Sequence, residues 1–124
     1  MQYLLLVYID PERMATLPDA EFDRLMHGCI THADALRNEG CLLDAQQLEP
    51  PATARTVRAR DGETRVLDGP FAETKEVLAG FNLIEAASLE DAVRIAHEFP
   101  WTAFGSIEVR PVRDFAAVRQ RVGA

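Results

Sequence analysis

From residue 2 to residue 9 the chain is almost wholly apolar. Tyr3, Leu5, Val7 and Ile9 point to one side of an extended backbone, and Leu4, Leu6 and Tyr8 to the other. A strand that is apolar on both faces needs cover on both. Asp10-Pro11 reads as the turn that ends it. From Asp19 the rhythm changes. Phe22, Leu25, Met26, Cys29, Ala33 and Leu36 recur at spacings of three and four, which predicts an amphipathic helix ending at Gly40. Residues 41–48 read as a second strand, stopped by Pro50-Pro51. Residues 55–60 and 63–67 flank Asp61-Gly62, the two-residue loop of a type I′ hairpin, and that register sets Val57 opposite Val66 and Arg60 opposite Glu63. Residues 78–86 predict another strand. Ser88, with Asp91 three residues on, opens a helix whose stripe is Leu89, Ala92, Val93, Ala96 and Phe99, and Pro100 closes it. Residues 106–112 form the last strand. In residues 113–124, Phe115, Val118 and Val122 predict a turn or two of helix packing back on the domain.

The order strand, helix, strand, hairpin, strand, helix, strand is that of an α+β, ferredoxin-like split βαβ sheet with an inserted β-hairpin. It predicts one domain over residues 1–112 and a short tail over 113–124. Two helices cover only one face of such a sheet. The second apolar side of residues 3–9, together with residues from 78–84, would otherwise lie open to water, and contiguous apolar surface of several hundred Å² is abnormal on a monomer. The pattern therefore predicts a homodimer packed sheet to sheet.

The chain has 124 residues, enough to bury a core without disulfide or metal staples. The net charge of −7 comes from 20 acids against 13 bases, and nine of the acids lie between Asp10 and Glu49. Counterion release on a nucleic acid needs clustered Lys and Arg, so direct nucleic-acid binding is disfavoured. No apolar run approaches the roughly 20 residues needed to cross a bilayer, and the first strand lacks the flanks of a signal peptide, which predicts a cytoplasmic protein. Cys29 falls on a helical stripe and Cys41 opens a strand; both read as reduced thiols, without the spacing of a metal site.

The densest chemistry lies between the hairpin and the strand after it, where residues 68–76 read Asp-Gly-Pro-Phe-Ala-Glu-Thr-Lys-Glu. With Gly80-Phe81, Pro50-Pro51-Ala52-Thr53-Ala54 and Gly105-Ser106-Ile107-Glu108-Val109-Arg110-Pro111-Val112, this run resembles the bacterial DGPF proteins of the YCII-related superfamily. The resemblance covers residues 1–112. It implies a dimeric α/β-barrel, in a family whose members mostly lack an assigned reaction. It also implies two functional classes: an isomerase-like or monooxygenase-like enzyme acting on a small molecule, or a non-catalytic regulatory module associated with an extracytoplasmic-function sigma factor.

Within the loop, Phe71 is expected to bury its ring and so aim Asp68, Glu73 and Lys75 toward a ligand. His32 falls at the edge of the first helix's stripe, where an imidazole is partly buried yet accessible, and is the candidate for proton transfer, with Asp44 or Asp68 as its carboxylate partner. His27 reads as surface and His97 as a flank residue. Glu108 and Arg110 project together from the last strand. They point into the space between the two sheets of the dimer, where Arg110 offers a bidentate fork to an anionic ligand, or the two form an ion pair. The pocket for a small polar or anionic metabolite is expected between the sheet, the first helix and the residue-68 loop. No metal-ligand spacing, P-loop or nucleophile elbow is present, so no cofactor is expected.

Overall fold

The computed structural model describes residues 1–124. Strand β1 (Gln2–Ile9) leads through a short helix α1 (Pro11–Ala15) to the long helix α2 (Asp19–Asn38) and strand β2 (Leu42–Gln47). Strands β3 (Arg55–Arg60) and β4 (Glu63–Asp68) make the hairpin. Strand β5 (Val77–Glu85), helix α3 (Leu89–His97), strand β6 (Gly105–Pro111) and helix α4 (Phe115–Val122) complete the chain. The main sheet is antiparallel, in the order β2-β5-β1-β6, and β3-β4 forms a separate two-stranded sheet. This is the α+β, ferredoxin-like arrangement expected from the element order, with the hairpin inserted between β2 and β5.

Burial follows the alternation of β1. Tyr3, Leu5, Val7 and Ile9 are buried, and they join Leu36 of α2, Leu42, Ile84, and Ala92, Ile95 and Ala96 of α3 in one core with Phe99 and Trp101. Both long helices therefore cover the same face. The opposite face carries Leu4, Leu6 and Tyr8, all half-exposed, in register with Leu83, Phe81 and Leu78 of β5.

Local chemistry explains the element ends. Asp10 caps α1 by accepting from the Glu12 N–H at 3.0 Å, with Pro11 at the first helical position, so what reads as a plain turn is a short helix. Asp61 and Gly62 both take positive φ (52° and 79°), as a type I′ turn demands, and Val57 pairs with Val66 and Arg60 with Glu63 as expected. The β1–β5 register slips between Val7 and Tyr8, next to Gly80. A β-carbon at residue 80 would come within 2.5 Å of the Gln46 carbonyl oxygen, so glycine is what lets β2 lie close at that bulge.

One expectation is corrected within the single chain. Phe71 does not bury its ring, which is 80% exposed; the loop is instead tied by hydrogen bonds, with Gly69 N–H donating to the Ala54 carbonyl and Thr56 Oγ1 to the Gly69 carbonyl, each at 2.8 Å. The tail forms a helix, capped by Asp114, in which Val118 is half-buried and no residue is fully buried.

Candidate functional site

Helix α2 is 20 residues long, yet Leu36, near its C-terminal end, is its only buried residue. Leu25, Met26, Cys29 and Ala33 are only partly buried against the core, so the helix does not close fully on the sheet. Between the two lies a recess of about 790 Å3, walled on the helix side by Phe22, Met26, Cys29, Ile30 and Ala33 and on the sheet side by Val7, Ile9, Ala45, Ala79 and Asn82. Met14 of α1 and Trp101 also line it, and exposed Asp34, Arg37 and Glu49 stand at its rim. Two apolar surfaces separated by such a gap are the usual make-up of a small-molecule site, for which volumes of roughly 300–1,000 Å3 are typical.

Polar contacts inside the recess are few and weak. Trp101 Nε1–H donates to Cys29 Sγ at 3.3 Å, and Gln47 Nε2 to Met26 Sδ at 3.2 Å; sulfur is a poor acceptor in both cases. Burial pushes the Cys29 thiol above its ordinary pKa, with the Trp101 bond acting the other way, so Cys29 is a protonated wall residue at neutral pH. At the rim, Arg37 Nη1 lies 3.4 Å from Asp34 Oδ1, one turn away on the same helix.

None of the candidate site residues Asp68, His32, Phe71, Glu73, Lys75, Glu108 and Arg110 lines this recess. Asp68, at the end of β4, has a side chain 92% exposed and an ion pair with Arg55 Nε at 3.1 Å, the residue directly across the hairpin. His32 faces α3: its Nε2 is 2.9 Å from Glu98 Oε2, too poorly aligned for a hydrogen bond, and its ring meets Phe99 edge-on at 5.4 Å. His32 and Asp68 thus have separate partners. Lys75 reaches the buried Asp10 carboxylate at 3.8 Å, and Glu73 is exposed. Glu108 accepts from Arg110 Nε at 3.2 Å on the open sheet face, and that bond and charge raise the Arg110 pKa further above its ordinary value. No group of three or more His, Cys, Asp or Glu side chains is gathered as a metal ion would require.

The residues that do line the recess carry a faint sequence signal. Asn82 alternates with Gly80 and Ile84, which places a carboxamide on the helix-covered face of a strand otherwise apolar there. Trp101 follows the helix-stopping Pro100 and reads as an end plug; its place at the recess depends on how α2 sits.

The fold is that of a ferredoxin-like α+β domain with one helix incompletely closed on its sheet. The chain belongs to the YCII-related domain family, whose model matches residues 1–116. It is 40% identical over 116 residues to the uncharacterized protein R00369 of Rhizobium meliloti (strain 1021), covering 90% of this chain and 92% of that protein. No helix is long and apolar enough to cross a membrane.

Proposed function

We propose that the protein binds a small, mainly apolar molecule in the recess between α2 and the sheet, and that it works as a homodimer joined through the open sheet face. The observation that carries the first part is the incomplete closure of α2 on the sheet, which leaves apolar walls on both sides of a cavity of about 790 Å3. An anionic metabolite held by Arg110 is not the reading favoured. That guanidinium lies on the other face of the sheet and is bound to Glu108, and the only guanidinium at the recess, Arg37, faces Asp34. Any acid–base step on a bound molecule would fall to Asp34 or Glu49 at the rim.

The dimer is supported by rows across the open face. Asp44, Leu83, Leu4 and Arg110 form one, and Gln46, Phe81, Leu6 and Glu108 the next. Each row is apolar at its centre and polar at both ends, the pattern of an interface core with a rim. Light scattering that gives 13.8 kDa at every concentration would remove this part.

Trp101 is the only tryptophan and lines the recess, so it reports on occupancy. Titration with the neutral dye N-phenyl-1-naphthylamine is expected to raise dye emission saturably and quench Trp101, and Ala33→Phe is expected to abolish both. Dye binding that does not saturate, or that survives Ala33→Phe in a folded variant, refutes the site.

A further inference from the structure

Among the polar side chains that line the recess, Asn82 is the one on the central strand β5, set among apolar neighbours. Asn82 stands in β5 directly opposite Leu5 of β1 on one side and Ala45 of β2 on the other. Side chains opposite each other share a face, so its carboxamide projects from the helix-covered side, where Leu5 is fully buried. Asn82 lines the recess beside Val7, Cys29, Ala33 and Ala45, and is itself half-buried. Its amide makes no hydrogen bond within the chain. The nearest comparable group, Gln47, is engaged only with the Met26 thioether. A carboxamide in an apolar wall is costly unless something pairs with it, and it has one donor edge and one acceptor edge to satisfy.

We infer that Asn82 is the specificity-determining group of this recess and that its ligand is a neutral, flat molecule presenting an amide or lactam edge, an N–H beside a C=O. This rests on the recess being a binding site, as proposed above. The ligand N–H donates to Asn82 Oδ1 while its carbonyl accepts from Asn82 Nδ2, a two-bond pairing of the kind asparagine makes with a base edge. The apolar remainder lies between the α2 stripe and the sheet, against Met26 and Trp101, where a thioether adapts to the shape of a ring. Charge argues against an anion. The ionisable groups at the rim are the acids Asp34 and Glu49 and an arginine already facing Asp34, on a chain of net charge −7.

Three bicyclic probes of one shape test this by calorimetry: 2-quinolone, a neutral lactam; quinoline, which lacks the carbonyl and N–H edge; and quinoline-2-carboxylate, an anion. The lactam is expected to bind at least about tenfold more tightly than quinoline, the discrimination a site's own polar group exerts against an analogue that leaves it unpaired. Asn82→Leu, close in size and apolar, is expected to bring that ratio near one while quinoline binds as well as before or better; Asn82→Ala, with its fold checked by circular dichroism, is the second variant and should do the same. A lactam preference that persists in both variants, or an anion that binds more tightly than the lactam, overturns the inference. If N-phenyl-1-naphthylamine binds at the recess but the quinolone-to-quinoline ratio ignores residue 82, the inference fails and the binding site stands. If neither the dye nor any bicycle binds, both fail.

Discussion

Filling the recess from the helix side separates a real gap from a packed layer by the sign of a stability change. Ala33 is on the α2 wall and only partly buried. Ala33→Leu adds three methyl or methylene groups pointing into the recess, while alanine and leucine have nearly equal helix propensity, so packing decides the outcome. At about 0.8 kcal/mol per buried carbon the upper limit is about 2.4 kcal/mol. The recess is open at its rim, and a leucine loses about 0.5–1 kcal/mol of rotamer freedom, which leaves a net stabilisation of about 1 kcal/mol. For a domain of this length that corresponds to a rise in Tm of roughly 3–5 °C, read by calorimetry or circular dichroism. The same leucine should compete with N-phenyl-1-naphthylamine and weaken its binding. If α2 instead packs tightly on the sheet in solution, the added side chain overpacks the layer and destabilises it by about 1–3 kcal/mol. A fall in Tm would therefore refute the incomplete closure of α2 and the site built on it.

Leu6→Lys puts a charge at the centre of the open face, between Phe81 and Glu108, and is expected to leave a folded monomer of 13.8 kDa by light scattering, whereas a dimer unaffected by it would argue against that face. Gly28 sits mid-helix with nothing within 4 Å of a would-be β-carbon, so Gly28→Ala should stabilise by about 1 kcal/mol in urea titration; Gly105→Ala should fail to fold, because its β-carbon would overlap the Tyr8 carbonyl oxygen. The Asp91 carboxyl is held below its ordinary pKa by its hydrogen bond to Arg94 and then by the Ala87 N–H. Its folded value lies below its unfolded one, so its contribution is present above the unfolded value of 3.8 and is lost as pH falls through the folded value; Asp91→Asn should flatten the acid limb of the stability profile, and an unchanged limb would refute this. Burial raises Cys29, so the sign there is opposite: stability is lost as pH climbs from the unfolded value of 9.0 toward the folded one, and Cys29→Ala should lessen that alkaline loss.

Periodicity named the elements well because it reports which face of each is apolar. The alternation in β1 foretold Tyr3, Leu5, Val7 and Ile9 as core, Ser88 marked the start of α3, and Asp61-Gly62 set the hairpin register residue for residue. What it does not report is distance. The α2 stripe is apolar whether the helix closes fully on the sheet or leaves a gap; the recess lies between the sheet and the first helix, where a pocket is expected, but without the loop at residues 68–76, and the presence of Asn82 and Trp101 in its lining was not legible. The loop at residues 68–76 drew notice by its composition, but its charges are taken up by Arg55, Asp10 and Ser106, and Phe71 faces outward. His32 was placed correctly at the helix edge; the neighbour it meets there is Glu98, contributed by an element far away in the chain.

The rows across the open sheet face distinguish between two ways of laying one copy on another. Asp44 borders one margin and Arg110 the opposite margin of the same row. Rotation about an axis along the strands would set each carboxylate over the other copy's guanidinium, whereas rotation about an axis across them would stack acid on acid and base on base. A greasy centre alone accepts either orientation, so in such a pairing the charged margins act as the alignment key, and Arg110→Asp would spoil the orientation while leaving the apolar contact intact.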